Sequence, residues 1–93
     1  MFEEIKEFLE NKNFIQIYND TDFKKTIKFY KKDININSNS VVIDISIVKL
    51  DDEKYKLKID KTITDGNDEK IHSICELYSN ENIDFIKNRL ILL

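Results

Sequence analysis

The stretch Asp65-Gly66-Asn67-Asp68-Glu69-Lys70-Ile71-His72-Ser73-Ile74-Cys75-Glu76-Leu77-Tyr78 decides the architecture of this chain. Asp65-Gly66 is either the turn of a β-hairpin or the approach to a helix, and the number of strands depends on which. Behind Asn67 or Asp68 as N-cap, Ile71, Ile74, Cys75 and Tyr78 fall at the three- and four-residue spacing of one helical stripe. Strand alternation would put Ser73 beside Ile71 and Glu76 beside Ile74. The spacing therefore predicts a helix over residues 68–78, with a fifth strand as the competing reading.

Immediately upstream the period is two. In Lys54 to Ile63, the residues Tyr55, Leu57, Ile59 and Ile63 alternate with Lys54, Lys56, Lys58 and Asp60, a hairpin strand with one wet face behind the acidic turn Asp51, Asp52 and Glu53. Val41 to Leu50 is the strongest strand. Val41, Ile43, Ile45 and Ile47 face one way and Val42, Asp44, Ser46, Val48 and Leu50 the other, and apolar groups on both faces suggest a central position. Asp33 to Ser40 reads as a loop, although Ile34 and Ile36 can prolong the strand before it. That strand is Phe23 to Lys31, with Phe23, Ile27 and Phe29 on one face and Lys24, Thr26, Lys28 and Tyr30 on the other. Phe14 to Tyr18 reads as a first strand and Asn19 to Asp22 as its turn.

Both ends read as helix. Phe2, Ile5, Phe8 and Leu9 recur at helical spacing over Phe2 to Asn11, with Glu3, Glu4, Glu7 and Glu10 between them and Asn11 to Asn13 as a stop. Downstream of the deciding stretch, Ser79 or Asn80 caps a last helix in which Ile83, Ile86, Leu90 and Leu93 share a stripe, flanked by Phe85. Strands grouped between helices predict an α+β two-layer sandwich: an N-terminal helix, a four-stranded, mainly antiparallel sheet, and one or two C-terminal helices. The 93 residues are expected to form a single domain (1–93), because halving them would leave each half too small to bury a core.

Composition narrows the function classes. Sixteen isoleucines and ten aromatics are enough for a core, so disorder is not expected. The absence of proline, alanine and tryptophan beside fourteen lysines and ten asparagines follows the bias of adenine- and thymine-rich codons. The start Met1-Phe2-Glu3-Glu4 and the lack of a long apolar run predict no export signal and no membrane span. A lone Cys75 suits a reducing compartment, so a cytoplasmic location is expected.

Candidate chemistry is sparse. His72 and Cys75 would sit on one face of the predicted helix, but a zinc site needs four ligands and the chain has no other His or Cys. Cys75 is accordingly expected as a small core residue and His72 as a surface residue. Asp44 is expected at an exposed position on the wet sheet face. With one glycine, Gly66, no phosphate-binding loop or dinucleotide fingerprint can be built. The acids of Asp51 to Glu53 and of Asp65 to Glu69 lack the spacing of a calcium loop. No catalytic residue, metal or cofactor is expected, and the chain is predicted not to be an enzyme.

Charge is the most specific feature. Residues 1–20 carry net −3, residues 21–61 net +3 and residues 62–93 net −3, so the predicted helices are acidic and the sheet basic. Two surfaces follow. Glu3, Glu4, Glu7 and Glu10, or the tip Asp51, Asp52 and Glu53, would present carboxylates to a basic groove on another protein. Alternatively, Lys24, Lys28, Lys54, Lys56 and Lys58 with Tyr30 and Tyr55 nearby would form a nucleic-acid-binding sheet face. An acidic chain, with pI near 5.1, favours the first. The expectation is a small cytoplasmic protein-binding inhibitor or regulator. Anti-defence (for instance an anti-CRISPR) or toxin immunity in a low-GC bacterium or its phage would suit it. It is expected as a monomer or a homodimer, the latter through an apolar tail, Leu90 to Leu93.

Overall fold

The computed structural model describes residues 2–20, 22–34, 39–50, 54–79 and 83–91. The element order is α1 (Phe2–Asn11), β1 (Ile15–Asp20), β2 (Thr26–Ile34), β3 (Ser40–Lys49), β4 (Lys54–Asp65), β5 (Asp68–Ser79) and α2 (Ile83–Ile91). The strands form one antiparallel sheet in the order β1-β2-β3-β4-β5. The fold is α+β, with five strands in place of the expected four and β5 where a helix was expected.

β5 exists because of its partner. Asp65 pairs with Asp68 across the two-residue loop Gly66-Asn67, and the register runs on without a break to Lys54 and Ser79. Gly66 has φ +61 and Asn67 is not in the positive-φ region, which matches glycine in the first central position of a type II′ turn. That turn twists with the strands it joins, so the chain folds back along β4. The long pairing outweighs the helical spacing of Ile71, Ile74 and Tyr78.

Strand parity sorts the side chains. The odd-numbered residues Ile27, Phe29, Ile43, Ile45, Ile47, Tyr55, Leu57 and Ile59 are buried beneath the helices, meeting Ile5 and Leu9 of α1 and Ile86 and Leu90 of α2. Each such isoleucine or leucine contributes roughly 1.5–3 kcal/mol of burial. Ile74 and Tyr78 of β5 pack against this cluster from the edge. β3 is the middle strand, as its two-faced apolar pattern predicts.

Local sequence explains where α1 ends. Asn13 has φ +68, its N–H donates to the Glu10 carbonyl, and the Phe14 N–H donates to the Leu9 carbonyl, both at 3.0 Å. This is a Schellman motif with asparagine in its left-handed position. Its accompanying apolar contact joins Leu9 and Phe14, which share the core.

Several expectations need correction. β2 begins at Thr26, so Phe23 and Lys24 lie in the preceding turn, where the Phe23 N–H donates to Asp20 Oδ1 at 3.0 Å. Phe23 is 90% exposed, and does not share the face of Ile27 and Phe29. β1 runs two residues further than its alternation suggested. Leu90 is buried against the sheet, so it cannot form part of an exposed dimerising tail. Among the described residues, no helix is long and apolar enough to cross a membrane.

Candidate functional site

Among the described residues, the sheet has one face beneath the helices and one that no helix covers, and the second carries most of the distinctive chemistry. Its residues line up in cross-strand rows, even-numbered on β2, β3 and β4 and odd-numbered on β5. Thr26, Val48, Lys56 and Leu77 form one row, and Lys28, Ser46, Lys58 and Cys75 the next. Tyr30, Asp44, Asp60 and Ser73 form a third, followed by Lys32, Val42, Thr62 and Ile71. The expected lysine face is therefore real for Lys28, Lys54, Lys56 and Lys58, all exposed, with half-buried Tyr30 beside them. Lys24 does not join them, because it precedes the strand. Tyr55 does not either: it is 4% exposed on the covered face, where burial raises its phenol above the ordinary range.

Carboxylates interrupt the lysines. Asp44 and Asp60 are register partners in the centre of the uncovered face, between Tyr30 and Ser73. Asp60 Oδ2 lies 3.8 Å from Lys58 Nζ, and Asp60 Oδ1 accepts the Ser73 hydroxyl at 2.6 Å. Lys28 Nζ stands 5.5 Å from the centre of the Tyr18 ring. Ile17, Lys28, Asp44, Ser46, Lys58 and Asp60 line an open depression of about 450 Å³. It has the mixed signs of a polar contact surface. Among the described residues, no group of three or more His, Cys, Asp or Glu converges as metal ligands would.

The His72 and Cys75 pair does not survive the strand. Three residues apart on a helix they would be neighbours; on β5 they point to opposite faces. Cys75 is exposed rather than buried, and His72 is also exposed. Asp44 stands on the uncovered face as its alternation predicts, half-buried.

The second candidate surface is α1. Glu3, Glu4, Glu7 and Glu10 are all exposed, opposite the buried Ile5 and Leu9. Helical geometry divides them. Glu3, Glu7 and Glu10 form one stripe, while Glu4 is turned about 100° away and its carboxylate lies 3.6 Å from Lys87 of α2. The other acidic candidates, Asp51, Asp52 and Glu53, lie outside the described residues.

Sequence reasoning missed the apolar groups at the margins. Ile15 and Ile17 of β1 are 62% and 58% exposed, and Ile71 and Leu77 of β5 are 62% and 66% exposed. The signal for Ile71 and Leu77 was their shared parity, which the helix reading of 68–78 concealed. No known protein family, curated protein or solved structure matches this chain.

Proposed function

We propose that this chain is a non-enzymatic protein-binding inhibitor or regulator that engages a basic surface through the acidic stripe of α1. One observation carries the reading. Glu3, Glu7 and Glu10 are exposed together on a helix whose opposite side is anchored in the core by Ile5 and Leu9. Such a stripe offers carboxylates in fixed positions, the arrangement that accelerates association with a cationic partner and selects among partners. Anti-defence or toxin immunity in the cytoplasm are roles such a module would fill.

The test is affinity capture with the wild-type chain beside the triple reversal Glu3→Lys, Glu7→Lys and Glu10→Lys, with circular dichroism to verify the fold. A partner held by the wild type, released by salt and lost in the reversal supports the reading. Capture that the reversal leaves untouched refutes it.

The uncovered face supports a second reading, nucleic-acid contact through Lys28, Lys54, Lys56, Lys58 and Tyr30. Its supporting observation is that these side chains share one uncovered face. Against it stand Asp44 and Asp60 among them, and the burial of Tyr55. Changing Lys54, Lys56 and Lys58 to Glu would abolish a salt-sensitive affinity for RNA or DNA if this reading holds.

A further inference from the structure

The two edges of the sheet are not alike. β1 is six residues long, and its pairing with β2 shifts register between Gln16 and Tyr18, a bulge of the kind that blunts an edge. β5 is twelve residues long, is paired to β4 without interruption, and contains neither proline nor glycine. Among the described residues, no strand lies beside its outer side in the sheet. In a two-residue hairpin the flanking pair, here Asp65 and Asp68, exchanges the closing hydrogen bonds. Even-numbered residues of β5 therefore direct their N–H and C=O groups to β4. Odd-numbered residues direct theirs outward: Glu69, Ile71, Ser73, Cys75 and Leu77. An uninterrupted edge of this length is a template for another strand.

The sequence of β5 fits itself when reversed about Ile74. An antiparallel copy in that register sets Ile71 opposite Leu77 and Ser73 opposite Cys75 on the uncovered face. On the helix side it sets Ile74 opposite Ile74 and His72 opposite Glu76. Ile71 and Leu77, which are solvated in one copy, cover each other, and a ring nitrogen donor meets a carboxylate. Sliding the centre to Ser73 puts Glu69 against Leu77, and sliding it to Cys75 puts Ile74 against Glu76. Both set an apolar side chain against a charge. The odd-numbered pairs in the Ile74 register are also the ones whose backbone groups face outward, so each exchanges two ladder hydrogen bonds.

We propose that β5 pairs antiparallel with β5 of a second copy about a two-fold axis at Ile74, joining two five-stranded sheets into one continuous ten-stranded sheet with all four helices on one side. The interface is isologous, so it closes at two copies and does not propagate. It uses no residue of the α1 stripe, and therefore stands or falls independently of the proposed function.

Three measurements test it. Light scattering should give the mass of two 11.1-kDa chains for the wild type. The double variant Ile71→Lys/Leu77→Lys, which sets lysine against lysine across the axis at two exposed positions, should give the mass of one. A cysteine cross-link then reads the register. Opposed hydrogen-bonded residues have Cα atoms about 5.5 Å apart, within disulfide reach, whereas diagonal neighbours are about 7–8 Å apart. Under mild oxidation Ser73→Cys should cross-link to Cys75 of the second copy. The wild type and Ser73→Cys/Cys75→Ser, which offer only diagonal pairs, should remain uncross-linked. A wild-type monomer, a dimer indifferent to the two lysines, or equal cross-linking in all three chains would overturn the proposal. So would protection of the β5 amides only when an extended peptide of another protein is added, since the occupant would then be a foreign strand.

Discussion

Glu76 joins a strand to a helix. One of its carboxylate oxygens accepts the Tyr78 hydroxyl, and the other lies 3.1 Å from Arg89 Nε of α2. The Tyr78 pKa is pushed up to about 12, first by burial, then by the hydrogen bond to Glu76 and the negative charge it carries, with Arg89 opposing. The sign follows from linkage. A phenol that holds its proton more tightly in the folded chain contributes stability that is complete below pH 10 and is lost as pH rises from 10 through about 12. Tyr55, raised by burial alone, adds a loss of the same sign. Urea midpoints measured at increasing alkaline pH should therefore fall steeply across that window, and Tyr78→Phe should make the fall shallower. An unchanged slope in the variant would mean that Tyr78 titrates as an ordinary phenol. The environment of a single side chain can be partly read from sequence. The parity of Asp44 within β3 was enough to place it on the uncovered face, but nothing in the spacing of Tyr78 revealed Arg89, eleven residues further on.

At the scale of elements, the hairpin turn carries the architecture. Gly66 has φ +61 and open space where a Cβ would go, so the cost of a side chain there is conformational rather than steric. Gly66→Ala should lower the unfolding free energy by about 1–2 kcal/mol. Chemical denaturation measures it, and a neutral result would show that the turn tolerates another geometry. The helices, β3 and β4 were legible because each buries one regular face, and a strict period results. β5 was not legible for the same physical reason inverted. As an edge strand it places Ile71 and Leu77 on the uncovered side and Ile74 and Tyr78 against the core, so its apolar residues follow no period of two. Only pairing with β4 settles its conformation, and that pairing involves residues up to 25 apart, Lys54 with Ser79. The glutamates of α1 were legible as a group, but the diversion of Glu4 to Lys87 depends on how α1 and α2 lie on the sheet.

The molecule as a whole is elongated. Its radius of gyration is 14.0 Å and its extents are 44 × 24 × 21 Å, where a compact chain of this length would have a radius near 12 Å. The long β4–β5 hairpin accounts for this: residues 65–73 are exposed throughout, beyond the cover of the helices. Stability is accordingly uneven along one pair of strands. Amide hydrogen exchange should be slowest at Ile45, Ile47, Leu57 and Ile59, and faster by orders of magnitude at residues 66–70. Uniform protection along the hairpin would show that its tip is covered in solution.

The order of the strands also governs how the fold is reached in time. Every strand pairs with the one that precedes it in the chain, so the sheet can grow by a succession of small ring closures, each of low entropic cost. The lid over that sheet comes from opposite extremes: Ile5 and Leu9 at one end, Ile86 and Leu90 at the other. A nascent chain leaving the ribosome would thus hold an assembled but half-roofed sheet, its greasy underside wet, until α2 arrives to close it. That interval is when the apolar side of the sheet is most open to aggregation.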